Sequence, residues 1–162
     1  MAVDAIEMLK QQHREVDDLF MRIQSSKGDE KIRLLGLVCE RLTIHAEIEE
    51  RHFYPFARSA GIQDLVDHSI EEHAQAKHTI SELLQVKRND PRIDVLFTQL
   101  MTSVQHHVKE EENTFFPRLT SVVSQEDLIR VAEEMQATAD DLAKQELLKM
   151  AEQAGADMPQ QP

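Results

Sequence analysis

The sequence predicts an all-α protein: an up-down-up-down four-helix bundle with an additional C-terminal fifth helix. Three observations carry this. Gly and Pro number only 4 and 5 in 162 residues, with one Tyr and no Trp, so turn formers and β-favouring aromatics are scarce. Apolar residues recur at alternating intervals of three and four along four long stretches, the signature of helices packed on one another. The chain also repeats itself. An offset of 62 carries Leu35, Val38, Leu42, His45, Glu49 and Pro55 onto Phe97, Leu100, Val104, His107, Glu111 and Pro117. An offset of 60 carries Ile6, His13, Phe20 and Ile23 onto Val66, His73, Ile80 and Leu83. Two related helical hairpins with short connections close into a bundle of antiparallel neighbours.

The first helix is predicted over about residues 3–24, with the seam Ile6, Leu9, His13, Val16, Phe20 and Ile23. A histidine thus occupies a core position. The second is predicted over about residues 30–58, with the seam Leu35, Val38, Leu42, His45, Glu49, His52 and Phe56. Pro55 removes one backbone hydrogen bond there and is expected to kink or end the helix. The third covers about residues 62–88, with the seam Val66, Ile70, His73, Lys77, Ile80 and Leu84. The fourth covers about residues 91–119, with the seam Phe97, Leu100, Val104, His107 and Glu111. Ser124 is a candidate cap for a fifth helix over about residues 125–151, whose apolar stripe is Leu128, Val131, Met135 and Leu142. That stripe either docks on the bundle or forms a surface for a protein partner or self-association. The domain reading is therefore a bundle over residues 1–120, a C-terminal helix packed on it over 121–154, and a flexible tail over 155–162.

The charge balance narrows the function. A net charge of -12 disfavours nucleic acid and anionic membranes, which want a basic face. No apolar run approaches the ~20 residues of a membrane span. No basic start followed by an apolar run marks a secretory signal, and the lone Cys39 suits a reducing compartment, so a cytoplasmic location is expected.

The chemistry sits on the seams. His45-x-x-x-Glu49 and His107-x-x-x-Glu111 each put an imidazole and a carboxylate on one helix face. Counted from the turns at about 1.5 Å per residue, His13, His45, Glu49, His73, His107 and Glu111 fall on one short section of the core. Six ionisable groups there would be costly unless a metal centre holds them. Four imidazoles and two carboxylates match two metal ions bridged by both Glu, with His13 and His45 on one ion and His73 and His107 on the other. Such nitrogen and oxygen ligation suits Fe, Mn, Zn or Co.

Further residues carry two readings each. Lys77, one turn past His73, either neutralises a bound anion or donates a proton as a catalytic group, or it snorkels to the surface. Tyr54 either packs with its hydroxyl on a carboxylate or supplies an extra oxygen ligand. Glu72 and His52 either orient an imidazole from outside or are ordinary helix residues. His68, His78 and His106 lie off the seam and are expected at the surface. Cys39, Met8, Met21, Met101 and Met135 read as packing.

The order His13, His45-x-x-x-Glu49, His73, His107-x-x-x-Glu111, with the endings Phe53-Tyr54-Pro55 and Phe115-Phe116-Pro117, resembles the hemerythrin-like family of His-His-Glu cation-binding domains over about residues 1–120. The resemblance implies a non-haem centre of two iron ions with bridging carboxylates and an oxo or hydroxo bridge. Two departures from the oxygen-carrying hemerythrins matter. Lys77 stands where they have a second third-helix His, and Glu111 follows its His by four residues where they place Asp at five. The missing nitrogen ligand leaves more open coordination. That shifts the expectation from oxygen carriage toward binding or turning over small oxidants, namely peroxide, dioxygen or nitric oxide. Non-catalytic oxygen or iron sensing, iron storage, and a zinc- or manganese-holding site are the alternatives.

Overall fold

The computed structural model describes residues 2–156. Its elements are α1 (Ala5–Gln24), α2 (Gly28–Ile48), α3 (Tyr54–Ser59), α4 (Gln63–Gln85), α5 (Arg92–Glu110), α6 (Phe116–Thr120) and α7 (Gln125–Ala156). Among the described residues there are no strands. Helices α2 and α3 are continuous through a π-helical turn, Glu49–Phe53, and α5 and α6 through a second one, Glu111–Phe115. Four long rods therefore make up the bundle. The α1/α2 and α4/α5 hairpins are the closest pairs, and α2 against α4 and α1 against α5 close the ring.

Local signals set the ends. Asp4 caps α1 by accepting the Glu7 N–H at 2.9 Å. Its other oxygen accepts from Gln125 Nε2 at 2.8 Å, tying the start of α7 to the start of α1. Gly61, at φ +89°, ends α3 in the left-handed region that favours glycine. There the Ile62 N–H reaches Ala57 O and the Gly61 N–H reaches Arg58 O, both at 3.0 Å. This paired closure reverses the chain into α4, with Ile62 buried beside Ala57. Ser124 caps α7 through the Asp127 N–H at 3.2 Å.

The core consists of two apolar clusters on either side of a polar layer. One is built around Leu9, Phe53, Phe115, Phe116 and Leu119, and α7 covers it with Leu128, Val131, Ala132 and Met135. The other is built around Phe20, Leu34, Val38, Phe97 and Leu100 at the far end of the bundle. The α7 stripe thus docks on α1, α2 and the first π turn. Helix α7 runs to Ala156, so residues 155–156 of the expected tail are helical, and 157–162 lie outside the described residues.

Four expectations need correction. Pro55 does not end its helix. The π turn before it widens the coil by one residue and relieves the clash of the proline ring with the carbonyl four residues back. The same occurs before Pro117. The extra residue rotates the next turns of the rod, so the seam continues through Phe53, Tyr54 and Ala57 (0–1% exposed), not through His52 and Phe56. On α4, Leu84 is exposed, and Leu83 packs against the far cluster instead. Met21 is exposed, not core.

Candidate metal centre

The polar layer holds His13 from α1, His45 from α2, His73 from α4 and His107 from α5, each buried. Glu49 and Glu111 enter it from the first residues of the two π turns, 0% and 1% exposed. All six predicted positions meet. The ligand-type atoms of His13, His45 and Glu111 lie within 4.8 Å of one another, and so do those of Glu49, His73 and His107. Each carboxylate also reaches the other trio. Glu49 Oε1 is 3.0 Å from His45 Nε2 and 3.2 Å from His73 Nε2. Glu111 is 3.2 Å from His13 Nε2 through Oε1 and 3.4 Å from His107 Nε2 through Oε2.

Every imidazole is held from behind at Nδ1. His13 Nδ1 meets Glu112 Oε2 at 3.0 Å, His45 Nδ1 meets Gln12 Oε1 at 2.7 Å, and His107 Nδ1 meets Glu72 Oε1 at 3.0 Å. His73 Nδ1 meets Glu50 Oε2 at 3.4 Å. Oxygens of this kind only accept, so each Nδ1 donates and each Nε2 is left facing the layer. Sequence reasoning anticipated Glu72, though not that it would serve His107. It missed Gln12, Glu50 and Glu112. The repeat carried that signal: Gln12 and Glu72 each precede a seam His, and Glu50 and Glu112 each follow a seam Glu.

Among the described residues, five buried side-chain atoms lack a hydrogen-bond partner, and all lie here: His13 Nε2, His45 Nε2, both oxygens of Glu49 and Oε1 of Glu111. They are near enough for ionic attraction, but not aligned as hydrogen bonds. Unpartnered nitrogen and oxygen atoms converging in a core fit a bound cation, whose coordination takes up their lone pairs together.

The electrostatics agree. Burial lowers the pKa of His13, His73 and His107, but the facing carboxylates outweigh it. His13 is raised by Glu111, His73 is raised to about 9 by Glu49 and Glu50, and His107 is raised well above its usual value by Glu111 and Glu72. Burial raises the Glu111 carboxyl, yet His107 and His13 hold it well below its usual range. With no cation present, His13, His73 and His107 therefore hold their protons against the facing carboxylates, and a cation entering the layer displaces those protons.

Tyr54, turned inward by the π turn, donates its hydroxyl to Glu111 Oε2 at 2.9 Å and lies 3.1 Å from His73 Nε2. Burial and the charges of Glu111 and Glu49 push its phenol pKa well up, so it stays protonated. Its repeat counterpart, Phe116, stacks on His13 with centroids 6.0 Å apart. Lys77 reaches the surface, 45% exposed, and its ammonium bonds Glu50 Oε2 at 2.7 Å. His52 leaves the layer and meets Thr138 Oγ1 of α7 at 2.7 Å.

A cavity of about 40 Å³ adjoins the layer. All four histidines and Lys77 line it, and Val16, Leu42, Ile80 and Val104 make it apolar. That volume holds a molecule or two of the size of water or dioxygen.

The comparisons with known proteins agree with this geometry. The model of the hemerythrin HHE cation binding domain matches residues 4–119. A solved hemerythrin HHE cation binding domain-containing protein from Mycobacterium kansasii superposes with a TM-score of 0.80 at 27% identity, covering 92% of this chain and 93% of that one. A curated protein of Nostoc sp. named DNA nickase is 28% identical over 132 residues. The match takes in 81% of this chain but 38% of that protein, so the chain spans little more than a third of that relative. The family match contains all six residues of the polar layer, both π turns and both hairpins, and this chain belongs to the hemerythrin HHE cation binding domain family.

Proposed function

We propose that the polar layer holds two iron ions and that the protein binds and turns over small neutral oxidants, hydrogen peroxide first among them. The observation that carries this is the set of orphaned buried atoms on His13, His45, Glu49 and Glu111 beside a small apolar cavity. His13 and His45 would hold one ion and His73 and His107 the other, with Glu49 and Glu111 supplying carboxylate oxygens to both. When bound, the iron pair supplies and takes back the electrons that a small oxidant exchanges.

The chain's own residues do the rest. The apolar cavity walls exclude bulk water and charged solutes, so neutral diatomics and peroxide are the species that fit. The Tyr54 hydroxyl proton holds Glu111 in one orientation. Lys77 Nζ and His73 Nδ1 both donate to Glu50 Oε2, so a surface ion pair fixes the orientation of the His73 ring. Glu50 is the fixed charge of that pair. His73 lowers its pKa most, burial opposes, Lys77 lowers it further, and the result is about 2.

The test is peroxide-driven oxygen evolution by iron-loaded protein. Turnover above the same concentration of free iron is expected. Turnover equal to free iron rejects the peroxide reading, and a spectral change of the reduced protein with nitric oxide or dioxygen then leaves a binding role. His45→Ala and His107→Ala are expected to lose iron and stability together, since each removes a nitrogen ligand and leaves a hole in the core. Unchanged iron in both variants rejects the ligand assignment.

A further inference from the structure

Four more ligand-type side chains meet outside the bundle core, on the surface between α4 and α5. His68 and Glu72 are one turn apart on α4, and His106 and Glu110 are one turn apart on α5. His106-x-x-x-Glu110 sits one residue before His107-x-x-x-Glu111, and one residue turns a helix by ~100°, so the same spacing is presented outward. His68 Nε2 is 2.9 Å from Glu110 Oε2 and 3.7 Å from Glu72 Oε1. His106 Nε2 is 3.2 Å from Glu110 Oε1 and 3.6 Å from Glu72 Oε2. Each imidazole thus faces both carboxylates through the same nitrogen.

The ligand-type atoms of His68, Glu72 and Glu110 lie within 4.8 Å of one another, close enough to share one ion, and His106 stands beside them at the other oxygen of each carboxylate. Among the described residues, neither carboxylate is paired with Lys or Arg, so no fixed cation occupies the place between them in a chain of net charge -12. Glu72 joins this cluster to the layer inside, because its Oε1 also accepts from His107 Nδ1.

We infer that His68, Glu72 and Glu110, with His106 beside them as a fourth ligand on rotation of its side chain, form a surface site for a divalent transition-metal cation, linked through Glu72 to His107. Two imidazoles and two carboxylates suit Zn²⁺, Fe²⁺ or Co²⁺, whereas Mg²⁺ and Ca²⁺ prefer oxygen alone. A cation there draws charge from Glu72 and so weakens its hold on the His107 ring.

The experiment is Zn²⁺ uptake by the iron-loaded protein in equilibrium dialysis, comparing wild type, the double variant His68→Ala/His106→Ala, and the control His78→Ala. His78 forms an isolated exposed pair with Glu82, 2.9 Å away, and belongs to no cluster. Wild type and the control are expected to take up one equivalent of Zn²⁺ that the double variant lacks, with equal iron in all three. Glu110→Gln is expected to weaken that uptake at least tenfold. Equal uptake by wild type and the double variant, or an equal loss in the control, overturns the site. The iron content reports separately on the inner layer, so a failure of that reading is distinguishable from a failure of this one.

Discussion

Each imidazole of the inner layer is gripped at Nδ1, by a carboxylate at His13, His73 and His107 and by the Gln12 amide at His45. The ligand-type residues were legible because a His and a Glu at i and i+4 on an apolar seam have no cheaper explanation. Of the outer partners only Glu72 was anticipated, because each lies off the seam and reaches across to a different helix. For Tyr54 the sequence left two roles open, and the hydroxyl bonded to a carboxylate is the one found, on a tyrosine turned inward. Tyr54→Phe removes its bond to Glu111 and leaves a buried carboxylate oxygen short of a donor. A loss of about 1–3 kcal/mol in denaturant unfolding is expected, with metal content unchanged. Loss of metal would make the phenol a ligand instead. Cys39 gives the pH dependence. Burial raises its thiol to about 11 from the ordinary 9.0, so the folded state binds the proton more tightly than the unfolded. Its contribution is whole below pH 9 and is lost as pH rises through 11, by about 2–3 kcal/mol. Native protein should resist alkylation at pH 8, and Cys39→Ala should flatten stability between pH 9 and 11.

The two π turns are the elements that make the inner layer work. Each begins on a buried carboxylate of the layer, Glu49 or Glu111, and ends before an aromatic-Pro pair. Seam counting at 3.6 residues per turn could not see them, because a single wide turn shifts the register without changing composition. The prolines at matching places in the repeat were the available sign, and they read as a kink. Deleting Arg51, an exposed residue inside the first π turn, removes the one extra residue: an ordinary α-helical turn then keeps Phe53 and Tyr54 facing the core but sets the Pro55 ring against the carbonyl four residues back. A loss of about 3 kcal/mol in the unfolding free energy is expected. A variant as stable as wild type would show that the wide turn relieves no clash.

Across the whole molecule, the bundle and its extra helix were readable from periodicity and repeat, while the place where α7 docks was not, since its stripe names no partner. Met135→Ala tests that docking: Met135 is 0% exposed beside the aromatic cluster, and a loss of about 2–5 kcal/mol is expected in thermal or denaturant unfolding. Removing metal with a chelator should likewise lower the melting temperature, by the binding energy that favours the folded state. The division of the interior into two apolar clusters gives that experiment a second readout. The polar layer is the joint between them. With a cation riveting α1, α2, α4 and α5 together, the ends of the bundle share one cooperative transition. Without it they are held together by ion pairs alone, and amide hydrogen exchange should show the far end, around Phe20 and Phe97, opening independently of the end that α7 covers.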